Sequence, residues 1–267
     1  NLVYNPSMIF YVQLILSFLV GGLFIALQTL IAERVSPLWR GVILTIPSTM
    51  ALGLFFIGLS KSSQDVTEAA TIVPITLGID YLFVAVFSLM VGFGLWTSLF
   101  VSLFVWGLTA VLILQFPPNS FLSSTALGML LIVLSYLMVR IPSGVQTLKK
   151  FPMNARHIIV RALIGGTVVT LALFLSKTLG NVWGGLFSAF PATFSSTFII
   201  YYYLQGKEAI PTVSRALFFP GAIGFIVYAW VASVTFSSFG IWLGTLVSYL
   251  AVFIFVCSWT FLARSRK

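Results

Sequence analysis

The sequence predicts an all-α polytopic membrane protein with about nine transmembrane helices, arranged as two inverted four-helix repeats joined by a connecting helix. Three observations lead there: composition, the spacing of the apolar runs, and an internal recurrence of Trp, Gly and Pro. Hydrophobic residues make up 60% of the chain, charged residues 7%, and mean hydropathy is +1.10. A soluble domain carries about 25% charged residues, so a bilayer-embedded chain is the reading. The one cysteine, Cys257, lies in an apolar run and the one histidine, His157, beside a basic loop, so neither a disulfide framework nor a Cys/His metal cluster is expected. No HExxH stretch occurs, and one deep acid cannot form an intramembrane aspartyl pair. Neither enzyme activity nor a cofactor is expected. The net charge of +9 falls between apolar runs, where it reports topology and not nucleic-acid binding.

About 20 apolar residues are needed to cross roughly 30 Å of hydrocarbon as helix. Nine runs qualify: 8–32, 38–59, 69–91, 94–116, 121–139, 158–178, 182–204, 209–233 and 238–262. The first counts as a true span because residues 1–7 lack a basic stretch and the run behind them is too long for a signal peptide. Short connections at Gly92 to Gly94, Pro117 to Ser120 and Ser238 to Gly240 force antiparallel neighbours. Strands are excluded because a barrel needs short alternating segments. With nine spans, 12 of the 14 Lys and Arg residues fall on one face, leaving Lys61 and Lys177 on the other. Positive charge stays cytoplasmic, so the N-terminus is expected outside and the C-terminus inside, in the inner (plasma) membrane.

The fourfold grouping comes from a repeat. "LWRGVILTIPST" (Leu38 to Thr49) recurs as "VWGGLFSAFPAT" (Val182 to Thr193), 144 positions later. At the same offset Leu19 to Gly22 matches Leu163 to Gly166; at an offset of 146, Pro74 and Gly78 match Pro220 and Gly224, and "FGLW" (Phe93 to Trp96) matches "FGIW" (Phe239 to Trp242). Residues 8–116 therefore form the first repeat, 117–156 the connecting helix with its basic loop, and 157–263 the second repeat. A displacement of five spans is odd, so the second copy enters the membrane from the opposite side. Such inverted repeats recur in secondary transporters.

The second copy also resembles a known family. "LSKTLGNVWGGLFSAFPATF", "YYYLQGKEA" and "RALFFPG" are similar to the GlpM family of small bacterial inner-membrane proteins, over roughly Leu173 to Trp230. The first copy shares only the Gly, Pro and Thr skeleton, with "IPSTMALG" in place of "FPATFSST". The resemblance implies that one family member equals one repeat unit, and it implies no activity.

Candidate site residues follow from the cost of polar groups in lipid. Pro47 and Pro191 each lie about eight residues into their spans, roughly 12 Å deep from opposite faces. A proline removes one backbone hydrogen bond and frees a carbonyl, which in a bilayer must find protein, water or ligand. Ser48, Thr49, Thr193, Ser195 and Ser196 surround the two prolines with hydroxyls, so these seven residues are the expected substrate site; the competing reading is that the hydroxyls only repair their own kinks. Asp80, about ten residues into the third span, costs about 2.5–3.5 kcal/mol at a helix centre. It is the expected proton or sodium coupling site, or a structural acid bonded to a neighbouring helix; its counterpart at an offset of 146 is Ile226. Arg161 and Arg215 read as a candidate cytoplasmic gate or as snorkelling cations. Gln13 and Gln28 point inward, Glu68 and Glu208 stabilise helix starts, and the paired glycines at 21–22 and 165–166 permit close packing.

The function these features support is secondary transport of a small polar or amphipathic solute by alternating access, with the lipid bilayer, the solute and a coupling ion as partners. The alternatives are a non-transport subunit supporting envelope or exopolysaccharide assembly, and a channel.

Overall fold

The computed structural model describes residues 6–35, 39, 43, 46–140, 155–218 and 221–265. Asn1, Arg40, Gly41, Thr45, Lys149, Lys150, Pro220, Arg266 and Lys267, on which parts of the topology and repeat rest, lie outside the described residues. The helices are α1 (Pro6–Arg34), α2 (Ser48–Ser60), α3 (Ser63–Met90), α4 (Leu95–Gln115), α5 (Phe121–Met138), α6 (Ala155–Leu179), α7 (Asn181–Ser188), α8 (Ala192–Gln205), α9 (Ile210–Phe218) and α10 (Gly221–Ser265). Among the described residues there is no strand. Ser62 caps α3 by accepting from the Asp65 amide, and Ser120 with Ser123 forms a capping box on α5. Gly94 (φ 104°) turns the chain into α4, and its repeat counterpart Gly240 (φ 74°) interrupts α10.

Six helical segments are long and apolar enough to cross a membrane: Met8–Ala32, Ser63–Phe93, Leu95–Gln115, Phe121–Met138, Ala155–Leu179 and the stretch Lys207–Trp259. The outward faces of α1, α4 and α5 are apolar, with Ile15, Phe100, Phe104 and Leu137 all more than half exposed. Water would reject such a surface and lipid accepts it, so the chain is a multi-pass helical membrane protein. Two expected continuous spans are instead broken. The 182–204 run divides into α7, of eight residues, and α8, of 14; the 38–59 run holds α2, of 13 residues, beginning after Pro47. None of these pieces alone reaches the roughly 20 residues that crossing requires. Proline at a helix's first turns blocks continuation toward its own N-terminal side, so each proline begins a new helix instead of bending an old one.

Helix α3 is the buried centre, packed against α4, α5, α7 and α10. Its crossing with α5 is made by glycines: a Cβ on Gly78 would lie 2.9 Å from the Gly128 carbonyl oxygen, and one on Gly128 would overlap the Pro74 carbonyl. The α1/α6 crossing uses the two predicted glycine pairs, and its contacts are reciprocal. A Cβ added at Gly22 would lie 3.0 Å from the Ala162 carbonyl oxygen and one at Gly166 2.6 Å from the Phe18 carbonyl oxygen; one at Gly21 would meet Val169 and one at Gly165 would meet Ile25. Subtracting 144 turns each contact into its partner, the pattern of a two-fold interface. Ser17 Oγ bonds Thr170 Oγ1 at 3.2 Å, on the far side of a crossing that brings Gly166 against Gly22. Partner numbers thus rise on one helix as they fall on the other, and α1 and α6 run antiparallel.

Because no atom can be added at the α3/α5 crossing without separating the helices, Gly128→Ala should lower stability by about 1–3 kcal/mol. Gly107→Ala on α4, where a Cβ meets nothing within 4 Å, should leave it unchanged. Melting curves of the two variants in detergent check the difference.

Candidate functional site

The two helix breaks have the same backbone. Pro47 (φ −76°, ψ 71°) and Pro191 (φ −73°, ψ 38°) stand as N-caps of α2 and α8. Ahead of each, Ile46 donates to the Ile43 carbonyl at 3.2 Å, as Phe190 does to Phe187 at 3.1 Å. Past each, Ser48 donates to Ile46 at 2.8 Å and Ala192 to Phe190 at 2.7 Å, then Ala51 to Pro47 and Ser195 to Pro191, both at 2.9 Å. Every pair is separated by 144 positions, so the recurrence in the sequence is also a recurrence of local structure.

Both new helices start at one cavity of about 70 Å³. Ser48, Thr49, Thr193 and Ser196 line it, together with Arg161 and Gly165 of α6 and Gln28 and Thr29 of α1. Four of the five predicted hydroxyls and one of the two predicted arginines are therefore brought together across more than 140 residues of chain. Ser195 departs from expectation: it faces a separate cleft, and its hydroxyl donates to the Pro191 carbonyl at 2.9 Å. Ser196 donates to the Thr193 carbonyl at 3.0 Å, leaving its lone pairs toward the cavity. For these two serines the kink-repair reading holds at least in part. Gln28 turns inward, and its Nε2 donates to the Ile43 carbonyl at 2.7 Å and the Ile46 carbonyl at 3.1 Å. One side chain thus satisfies carbonyls that the Pro47 break leaves without helical donors. Two helix N-termini and one guanidinium make the cavity electropositive.

Beside this cavity lies a lateral cleft of about 490 Å³ between α4, α6 and α8, walled by Leu99, Leu103, Ile199, Ile200 and Leu204 and edged by Arg156 and His157. Arg161, Ile164, Ala192 and Ser196 border both spaces.

Asp80 is not at the cavity. It is 3% exposed and accepts a hydrogen bond from Trp106 Nε1 at 2.7 Å, with Phe187 and Phe190 edge-on against the indole. The structural reading of a deep acid bonded to a neighbouring helix is met by a partner that the sequence did not indicate. The repeat counterparts of this pair are Ile226 and Val252, both in an apolar core. Arg215 is also away from the cavity: its guanidinium donates to the Val139 carbonyl at the end of α5 at 2.5 Å and lies 4.2 Å from the Tyr136 ring centre. It neutralises a helix C-terminus.

A second polar group lies at the other end of α6. Lys61 donates to the Ser176 carbonyl at 2.8 Å and to Asn181 Oδ1 at 2.5 Å. Asn181 Nδ2 donates to Asp65 and to Glu68, each at 2.7 Å. Four side chains and one backbone carbonyl, spread over 120 positions, tie the α2/α3 corner to the α6/α7 corner. The sequence singled out Lys61 by its side of the membrane and Glu68 as a helix-start acid, but not Asp65 or Asn181; Asn181, a buried amide with both ends bonded, joins them.

No protein family, no characterised protein and no solved structure matches this chain.

Trp106→Phe removes one N–H and strands a buried carboxyl, so it should cost about 1–3 kcal/mol. Adding Asp80→Leu to Trp106→Phe should recover much of the loss, because removing both partners leaves the apolar pairing seen at Ile226 and Val252. A double-mutant cycle of melting curves checks the coupling.

Proposed function

We propose that this protein is a secondary transporter of a small polar or amphipathic solute, working by alternating access between two inverted four-span repeats in the inner membrane. The observation that carries the reading is the shared cavity: two helices, broken at matching prolines with matching hydrogen bonds, begin at one electropositive space. Broken helices at a repeat interface are how transporter folds present helix ends and loosened backbone to a solute inside a membrane. The antiparallel, reciprocal α1/α6 crossing supports inversion, since an axis perpendicular to two antiparallel helices lies in the membrane plane. Counting α2 and the α7/α8 pair as the broken second and seventh spans, and dividing α10 at Gly240, returns nine. The charge bias then puts the Arg156 end of α6 in the cytoplasm and the Lys61 network outside.

In this reading the network is the closed outer gate. A hydrogen bond to a charged group contributes about 1.5–3 kcal/mol, and 1.4 kcal/mol is tenfold in population, so losing Asn181 shifts the balance toward an outward-open state. Asp80 serves as the coupling residue. Its repeat counterpart, Ile226, packs in an apolar core, so an acid at this position of the repeat is not a general requirement of the fold.

The experiment needs no knowledge of the solute. In a Cys257→Ser background, a cysteine at Thr193 should react with a membrane-impermeant maleimide from both sides, in intact cells and in inverted vesicles. Adding Asn181→Ala should raise the outside rate about tenfold. Reaction from one side only, unchanged by Asn181→Ala, would contradict alternating access. Asp80→Asn keeps shape and hydrogen bonding but cannot exchange a proton; the variant should fold normally and lose any pH or sodium dependence of the labelling rate.

A further inference from the structure

We infer that the solute is an anionic lipid, docked with its acyl chain in the lateral cleft and its headgroup turned past Arg161 into the polar cavity. This rests on the transport reading and narrows its substrate class. Size separates the roles of the two spaces. The cavity, at about 70 Å³, holds a few water molecules and falls well below the 300–1,000 Å³ of ordinary small-molecule sites, whereas the cleft, at about 490 Å³, lies within that range. A free polar solute large enough to fill the cleft would meet Leu99, Leu103, Ile199 and Ile200, which offer it no hydrogen bonds. An acyl chain wants such a wall. A smaller apolar hollow of about 300 Å³ continues the cleft through the shared Ile164 and Phe190 up to Leu171. From Arg156 to Leu171 along α6 is about 22 Å at 1.5 Å per residue, the reach of a long chain lying along the helix.

Charge sets the headgroup. Arg156 edges the cleft and Arg161 borders both spaces. The helix starts after Pro47 and Pro191 add their positive ends on the cavity side. Basic pockets between membrane helices recognise phosphate headgroups in this manner. The wall is also open to its occupant: Val160, Tyr203 and Leu204 are 44%, 68% and 47% exposed on what is a lipid-facing side. A lipid therefore reaches the site sideways from its own leaflet, without passing through water.

The test uses purified protein in zwitterionic nanodiscs with a diazirine-bearing phosphatidic acid as the probe, and mass spectrometry of the labelled peptides. Labelling should concentrate on the cleft faces of α4 and α8. Unlabelled phosphatidic acid should displace the probe at least tenfold better than phosphatidylcholine of the same chains, and glycerol 3-phosphate should not displace it. Arg161→Gln should bring the two lipids within about twofold of each other, Arg161→Lys should keep most of the preference, and Leu103→Trp, which fills the cleft, should cut labelling at least fivefold. Equal displacement by the two lipids in the unmodified protein, label spread over the exposed face of α1, or displacement by glycerol 3-phosphate would each overturn the inference, whether or not the variants fold. Failure here with two-sided labelling of the Thr193 cysteine leaves a transporter of some other solute; success here with one-sided labelling removes transport and leaves a lipid site.

Discussion

A proline inside a bilayer creates a debt of backbone hydrogen bonds that water is not there to settle, and the arrangement of this molecule is organised around two such positions. At Pro47 and Pro191 the helix stops, turns through the same set of bonds, and starts again. Each stop leaves carbonyls that need donors and each start leaves amides that need acceptors. Lipid supplies neither, so both breaks must be enclosed by protein. The close α1/α6 crossing at the paired glycines, which puts Gly165 and Arg161 beside Gln28 and Thr29, provides part of that enclosure. The polar cavity is thus a consequence of the breaks, and the glycines are what allow the walls to approach closely enough to shelter it.

The two breaks are alike in backbone and unlike in repair. At the first, Gln28 reaches across from α1 to bond two carbonyls. Its counterpart at an offset of 144 is Ala172, which has nothing to donate. At the second, Ser195 bonds Pro191 from within its own helix, where the first copy has Ala51. The first break is therefore pinned to another helix and the second is satisfied locally. Asymmetry recurs deeper in the fold, where Asp80 with Trp106 in one copy answers to Ile226 with Val252 in the other. In the proposed alternating-access reading, a duplicated scaffold with unduplicated polar residues can hold two states of unequal energy, which strict symmetry forbids.

Much of the fold was legible because membrane sequences report burial through length and charge. The long apolar runs became α1, α3, α4, α5 and α6 nearly as bounded, and the spacing of Pro, Thr and Gly located the cavity residues. Composition overcounted continuity: a hydropathy window cannot tell a kink from a stop, so the 182–204 run read as one helix although Pro191 divides it. Hydroxyl direction was also hidden. Ser195 and Ser196 are neighbours in sequence and both border the lateral cleft, yet about 100° apart around a helix only Ser196 reaches the polar cavity. The partners of Asp80 and of Asn181 were invisible for a different reason. Both bonds span helices whose relative rotation is set by packing and not by any local pattern.

In the proposed alternating-access reading, the unequal repairs bear on which half moves. Separating α1 from the first break would take the Gln28 donor from two carbonyls, whereas tilting α8 carries the Ser195 bond along with it. The Lys61 network opposes motion at the other end of α6 through Asn181, which sits at the start of α7. Helix α8 forms a wall of both the polar cavity and the lateral cleft. A tilt of α8 would change the width of both spaces together. Under the proposed lipid transport, coupling the opening of the polar cavity to that of the cleft is what moving an amphipathic molecule demands, since neither part can leave its environment before the other has somewhere to go.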